Sequence, residues 1–192
     1  MSKLINTAHS FLEVRSFTDN EDLIKKCVDD VDSLLLNYPP IMLYGKQARQ
    51  RRCIGFFSDD SIGYTYSRQL CKSQPLSDNL KNLLTIINGL YGSNFNGILV
   101  NKYNNGEDYI CKHSDDEEDI DSVGVISLSY GASRKFRIRD KKTNKIVQDI
   151  MTKNNYLIQM AGDFQKEFTH EIPIEKKIKD VRYSFTFRKH MV

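Results

Sequence analysis

Hydrophobic positions follow a helical spacing in the first half of the chain. Across residues 19–36 they recur three and four apart, which predicts an amphipathic helix. Thr18 and Glu21 have the spacing of a capping box at its start. The same spacing predicts a second helix over residues 77–91, which Gly92 would end.

After Gly92 the hydrophobic period changes to two, with β-branched and aromatic residues between Gly, Asn and Asp. The predicted strands cover residues 98–103, 123–130, 135–139, 156–160, 168–174 and 182–188. Short strands at this spacing favour a sandwich or jelly roll over a parallel sheet. We therefore expect an α+β, mainly β fold with N-terminal helices packed on it. A length of 192 residues suits one domain, spanning 1–192.

Charge is distributed unevenly, although the net charge is only +3. Basic residues form three clusters: Lys46, Arg49, Arg51 and Arg52; Arg134, Lys135, Arg137, Arg139, Lys141, Lys142 and Lys145; and Lys176, Lys177 and Lys179. Each cluster alone is most simply a solvated face. Together beside one site they would form a track for phosphates.

The four cysteines, none in a C-x-x-C pair, indicate reduced thiols. The first ten residues lack the apolar segment of a signal peptide, and no apolar run approaches the ~20 residues that span a bilayer. We expect an intracellular protein in a reducing compartment, with no membrane contact.

His113 and Asp115 are the first residues with a candidate chemistry. Residues two apart on a strand point to the same face, so both side chains could reach one metal ion. His170, on a later predicted strand, would complete the two-histidine, one-carboxylate triad of non-haem iron(II) oxygenases. An H-x-D fragment alone is more often a surface ion pair.

Arg182 and Arg188 lie six apart on one predicted strand, so both guanidinium groups face the same side. Two inward arginines are costly unless each meets an anion, and a dicarboxylate offers two. The alternative is an exposed amphipathic strand. Against it, Tyr183, Phe185 and Phe187 make the other face apolar.

These motifs, together with Asn101-Lys-Tyr103-Asn-Asn-Gly106, occur in the order found in the AlkB family, which the chain resembles from about residue 43 to 190. The resemblance implies a double-stranded β-helix (jelly roll), iron(II) held by the triad, and 2-oxoglutarate and O2 as co-substrates. It implies a 2-oxoglutarate site of Asn101, Tyr103, Arg182, Ser184 and Arg188. The family often has Asn where this chain has Ser184, which is expected to weaken one carboxylate contact.

The likeness is greatest to the branch that repairs double-stranded DNA. It implies four groups of substrate contacts. They are a finger residue, Tyr44; a base-recognition lid with Arg52, Tyr64, Tyr66 and Ser67; an acidic pair, Asp116 and Glu117; and a basic loop with Lys176 and Lys177. The lid departs from the family at Arg68, where a Gly is usual, and at Arg51, where a Pro is usual. Tyr44 has an equally good alternative role, capping the core beneath the first helix.

The implied activity is oxidative demethylation of 1-methyladenine and 3-methylcytosine in DNA, or in RNA, by a monomer. The methyl group is released as formaldehyde, and 2-oxoglutarate is converted to succinate and CO2. Two other functions stay open: an oxygenase acting on protein or a small molecule, and a non-catalytic nucleic-acid-binding jelly roll.

Overall fold

The computed structural model describes residues 2–43, 45–66, 69–115 and 123–190. Its helices are α1 (Glu21–Val31), α2 (Asp78–Tyr91) and the short α3 (Phe164–Glu167). Its strands are β1 (Ser2–Asn6), β2 (Ser10–Ser16), β3 (Pro40–Leu43), β4 (Lys46–Arg49), β5 (Cys53–Phe57), β6 (Gly63–Tyr66), β7 (Gln69–Gln74), β8 (Gly97–Tyr103), β9 (Ile110–His113), β10 (Val125–Gly131), β11 (Lys135–Asp140), β12 (Ile146–Met151), β13 (Tyr156–Gly162), β14 (Phe168–Ile172) and β15 (Arg182–Arg188).

Two sheets face each other. Within the described residues the large sheet has the order β1-β2-β13-β10-β15-β8-β5-β7-β6, and the small sheet has the order β12-β11-β14-β9. Strands β3 and β4 form a separate hairpin. An apolar layer lies between the sheets, with Val125 and Met160 of the large sheet against Phe136 and Ile138 of the small one. The predicted mainly β jelly roll is confirmed.

Helices α1 and α2 cover the outer face of the large sheet. Ile24 and Val31 of α1, with Leu83 and Ile87 of α2, are buried in one cluster with the outward side chains of the sheet, such as Phe185. This burial of an apolar stripe is what the helical spacing predicts. No helix within the described ranges is long and apolar enough to cross a membrane.

The second helix has the predicted bounds and the first does not. Ser77 Oγ accepts a hydrogen bond from the Leu80 amide at the start of α2, and Gly92 ends it with φ +61°. Helix α1 is shorter than residues 19–36, because 3-10 turns precede and follow it. The predicted capping box is wrong, since Thr18 lies within the preceding turn and Asn20 holds the N-cap position without a side-chain bond.

The order of helices first and strands afterwards is also wrong. Strands β1 and β2 precede α1 and extend the large sheet beside β13. Strand β5 lies between the helices in sequence and pairs with β8. All five residues of β5 are buried, so its sequence has no alternation to reveal it.

Strand β15 lies inside the large sheet, where it pairs with β10 on one edge and with β8 on the other. Its apolar residues Tyr183, Phe185 and Phe187 lie in the core under the helices. Arg182 and Arg188, two of its alternate residues, line a cavity between the sheets. The predicted alternation of an apolar face and a polar face is confirmed.

Candidate active site

The cavity between the two sheets contains the predicted triad. His113 and His170 are direct partners in the pairing of β9 with β14, and Asp115 follows β9 by two residues. The candidate ligand atoms all lie within 4.8 Å of one another. Asp115 Oδ1 is 4.0 Å from His113 Nε2, and Asp115 Oδ2 is 3.7 Å from His170 Nε2. The two imidazoles and one carboxylate thus face a common point.

Neighbouring groups fix the orientation of each member. His113 Nδ1 is 2.9 Å from the Cys111 carbonyl oxygen, so donation through Nδ1 would leave Nε2 unprotonated and able to bind a metal. The His170 ring stacks on Phe136, with ring centroids 5.2 Å apart and planes inclined by 17°. The backbone amide of Asp115 donates to Gln165 Oε1 over 3.0 Å.

The protonation states suit metal binding. Burial alone would raise the pKa of Asp115, but the charge of Arg188, with the two imidazoles once acid protonates them, outweighs it and lowers the pKa to about 2. Arg188 Nη2 donates to Asp115 Oδ1 over 3.0 Å. Burial lowers the pKa of His113 and brings the pKa of His170 to about 3, so both imidazoles are neutral at physiological pH. Neutral imidazoles and a charged carboxylate are the forms that ligate metals.

Arg182, Tyr103 and Asn101 lie at the predicted co-substrate end of the same cavity. Arg182 is 2% exposed; its Nη2 donates to Ser129 Oγ over 2.8 Å, whereas Nε and Nη1 have no hydrogen-bond partner among the described residues. Asn101 Oδ1 accepts from Arg52 Nε over 2.6 Å, which leaves the amide N–H groups of Asn101 to donate to an anion.

Ser184, the departure from the family pattern, also lines the cavity. Its hydroxyl lies 3.1 Å from that of Ser127 on the adjacent strand β10. The two hydroxyls therefore satisfy each other where a longer side chain would reach further into the cavity.

The substrate residues implied by the resemblance are only partly within the described structure. Tyr44, Ser67, Asp116, Glu117 and the side chain of Tyr66 lie outside the described residues, as does most of the acidic run 115–121.

Tyr64 is buried and lines the cavity, with Arg188 Cζ 5.0 Å from its ring centroid. Arg52 is inside the same cavity rather than on the surface, at 3% exposure. Lys176 and Lys177 are exposed on the loop of residues 173–181, here called the lysine loop.

The three basic clusters differ in what their charges meet. Lys46, Arg49 and Arg51 are exposed near the β3–β4 hairpin. In the second cluster, Arg137 binds Asp149 through two hydrogen bonds of 2.8 Å, Arg139 binds Glu171 and Arg134 binds Glu175. The arginines of that cluster are thus neutralised locally, whereas its Lys142 and Lys145 are exposed.

Sequence reasoning missed Gln165 and Ser129, and it placed Arg134 in a basic surface cluster, whereas Arg134 is 0% exposed. Ser129 could have been found, since Ser127 and Ser129 are alternate polar positions in an otherwise apolar strand. Gln165 and Arg134 gave no such signal, because each acts on residues distant in sequence.

The residues present fit iron(II) with 2-oxoglutarate. The triad supplies the donor set of a non-haem iron site and leaves positions open for other ligands. The described residues that line the cavity include three guanidinium groups, those of Arg52, Arg182 and Arg188, but one carboxylate, that of Asp115, so the lining has an excess of positive charge. The unpartnered Nε and Nη1 of Arg182 leave N–H donors for a carboxylate.

Comparisons with known proteins agree with this geometry. The family model described as the 2OG-Fe(II) oxygenase superfamily matches residues 7–188. The human protein named DNA oxidative demethylase ALKBH2 is 27% identical over 157 residues, covering 78% of this chain and 60% of that protein. Human alpha-ketoglutarate-dependent dioxygenase alkB homolog 3 is 33% identical over 137 residues, covering 66% of this chain and 48% of that protein.

The chain thus spans between 48% and 60% of the length of these relatives. A solved structure titled "The structure of OsALKBH1" aligns with a TM-score of 0.61, covering 96% of this chain and all of that one, at 14% identity. At that identity the likeness shows the fold alone. The family model spans nearly the whole chain, and the chain therefore belongs to the 2OG-Fe(II) oxygenase superfamily, with the AlkB resemblance of its motifs confirmed.

Proposed function

We propose that this protein is an iron(II)- and 2-oxoglutarate-dependent dioxygenase that removes methyl groups from alkylated nucleic-acid bases. The observation that carries the proposal is one cavity holding both a His-Asp-His cluster within 4.8 Å and a buried arginine with unpaired donors. Membership of the oxygenase family implies iron(II), 2-oxoglutarate and O2. The role of each site residue belongs to the same proposal.

His113 and His170 would hold iron(II) through Nε2 and Asp115 through its carboxylate. Arg188 keeps that carboxylate charged and oriented. Arg182 would bind the distal carboxylate of 2-oxoglutarate. When bound, the iron and 2-oxoglutarate supply the oxidation of the methyl group by O2, with formaldehyde, succinate and CO2 as products.

The remaining residues orient the co-substrate and exclude water. Asn101, held by Arg52, and Tyr103, which is 2% exposed, offer donors at the co-substrate end. Tyr64 forms a wall of the same cavity. Since the cavity lies between two sheets, a base must leave its stack to reach it, at a cost of a few kcal/mol.

Double-stranded DNA is the proposed substrate, with 1-methyladenine and 3-methylcytosine as lesions. Support comes from the names of the relatives, which include DNA oxidative demethylase, and from the exposed lysine loop, which directly follows the cavity residue Ile172. We also propose that the protein forms one domain and acts as a monomer, and that it works in an intracellular, reducing compartment.

The test is mass spectrometry of methylated single- and double-stranded oligonucleotides incubated with iron(II), ascorbate and 2-oxoglutarate. Wild-type protein should remove the methyl group, and Asp115→Ala and His170→Ala should lose both iron binding and turnover while remaining folded. The exposed Lys166→Ala, whose partner is Asp163, is the control and should change neither. Full activity of Asp115→Ala would refute the metal assignment.

The same assay separates the other functions. Succinate release stimulated by a peptide or small molecule, but not by alkylated oligonucleotide, would favour the protein or small-molecule oxygenase. Oligonucleotide binding without iron-dependent succinate release would favour the non-catalytic jelly roll.

A further inference from the structure

A buried arginine that the proposed mechanism does not use lies behind the co-substrate end of the cavity. Arg134, just before β11, is 0% exposed. Its Nη1 donates to the Asn105 carbonyl over 3.0 Å, and Nη2 donates to the Asp108 and Pro173 carbonyls, each over 2.8 Å. Its Nε is 3.2 Å from Glu175 Oε2. One guanidinium group therefore joins the turn after β8 to the lysine loop.

Backbone contacts join the same two segments. Gly106 N donates to Ile178 O over 2.9 Å, and Glu175 N donates to Gly106 O over 2.7 Å. A Cβ atom at Gly106 would lie 1.9 Å from Glu175 O, so the approach is possible only without a side chain. Lys176 and Lys177 directly follow the contact point and are exposed.

On its other side, the network reaches the co-substrate end. The Tyr103 ring has Arg134 Cζ 5.7 Å and Arg182 Cζ 5.3 Å from its centroid, so it contacts two guanidinium groups. Tyr103 is also the direct strand partner of Arg182. A shift of Arg134 would therefore move the ring against which Arg182 packs.

Stability alone is a weak reason for this arrangement. A buried ion pair costs several kcal/mol of desolvation for each ion, and well-packed apolar replacements are often neutral or stabilising. Three of the four hydrogen bonds of the Arg134 guanidinium fix backbone carbonyls and the fourth reaches the Glu175 carboxylate, which is a contribution to geometry.

We propose that Arg134 is a positioning residue that holds the lysine loop and the Tyr103–Arg182 end of the cavity as one unit. It sets the geometry for 2-oxoglutarate on one side and presents Lys176 and Lys177 to a phosphate backbone on the other. The second half of this inference rests on the proposed function; the first half requires only that 2-oxoglutarate binds in the cavity.

The test compares Arg134→Lys with Arg137→Lys. Arg137 lies in β11, three residues after Arg134, and its pair with Asp149 is partly exposed, so the control makes the same chemical change without the buried network. Calorimetry with Mn(II) in place of iron measures 2-oxoglutarate affinity without turnover. Arg134→Lys loses the fork geometry and is expected to raise the Kd and KM for 2-oxoglutarate at least roughly tenfold, with kcat within about threefold.

Glu175→Gln provides a second variant in which the arginine stays and the loop's carboxylate is neutralised. With this variant the proposed role of Arg134 can still be tested if Arg134→Lys does not fold. Hydrogen exchange of the lysine-loop amides, measured without nucleic acid, should rise in both variants relative to Arg137→Lys. Binding of a duplex oligonucleotide should lose part of its salt dependence, since fewer lysine–phosphate contacts form.

A lowered melting temperature with unchanged 2-oxoglutarate Kd, loop exchange and salt dependence would overturn the inference and leave Arg134 a structural residue. If the wild type demethylates no nucleic acid, the proposed function fails. The Mn(II) and hydrogen-exchange measurements still decide the positioning role in that event, because neither contains a nucleic acid.

Discussion

Arg182 should reduce the stability of the ligand-free protein while making co-substrate binding possible. Its guanidinium is 2% exposed, and two of its nitrogen atoms lack hydrogen-bond partners within the described residues. Burial lowers the pKa of Arg182 to about 10, still above neutral pH, so the group remains a cation. Arg182→Met keeps much of the side-chain volume and removes this charge.

The expected magnitudes follow from that change. In the wild type, the unsatisfied buried donors of Arg182 destabilise the fold by about 1–3 kcal/mol, and the substitution removes this cost. The substitution also removes the hydrogen bond to the Ser129 hydroxyl, which destabilises the variant by about 1 kcal/mol. The free energy of unfolding of Arg182→Met should thus be equal to that of the wild type or about 2 kcal/mol higher. At roughly 2–4 °C per kcal/mol, the melting temperature rises by zero to about 8 °C.

The assay is thermal denaturation with Mn(II), with and without 2-oxoglutarate. A ligand at 100 times its Kd stabilises the wild type by about 2.7 kcal/mol, or roughly 5–11 °C, and should not shift Arg182→Met. Arg137→Met, which removes a surface arginine from the small sheet, should retain the shift. An Arg182→Met variant that melts several degrees below the wild type and still responds to 2-oxoglutarate would refute the reasoning.

Three further changes test other parts of the molecule. If Tyr44 is a finger, Tyr44→Ala should lose repair of double-stranded DNA, keep repair of single-stranded DNA and have an unchanged melting temperature. A variant with a lower melting temperature and an equal loss of both activities would make Tyr44 a core residue. Ser184→Asn should leave the KM for 2-oxoglutarate unchanged or lower it modestly, at the expense of the hydroxyl contact with Ser127; a tenfold rise would show that the cavity cannot hold the longer amide. The hydrogen bond from Lys102 lowers the pKa of the half-exposed Asp32, so its contribution to stability is present at neutral pH and is lost as pH falls through the lowered pKa. Asp32→Asn should therefore melt slightly below the wild type at pH 7, with the gap closing below about pH 4; a gap that persists in acid would contradict the assignment.

The sequence predicted those parts of the site that depend on local periodicity. His113 and Asp115 are two residues apart, and Arg182 and Arg188 are six apart, so the side chains of each pair were expected on one face of a strand. The structure places all four in one cavity. The third ligand, His170, was proposed as a histidine on a later predicted strand, and the order of the family motifs agrees with it.

Long-range contacts could not be predicted in this way. Gln165 holds the backbone of Asp115 from a short helix 50 residues away, and Arg134 binds carbonyls of two loops. Strand β5 was missed because both its faces are buried, and the capping box failed because the chain enters α1 through a 3-10 turn. In each of these, tertiary packing decides what the local pattern leaves open.

The central position of β15 has a consequence for how the protein folds. Among the strands of the described residues this one comes last in sequence, yet it lies between β10 and β8 and is hydrogen-bonded to both. Until it inserts, those two strands have unpaired backbone edges, which are templates for aggregation. Pairing β15 with β8 also spans roughly 80 residues of chain, a non-local closure that slows folding. Because the inserting strand carries Arg182 and Arg188, the slow step that closes the sheet is also the step that creates the co-substrate site.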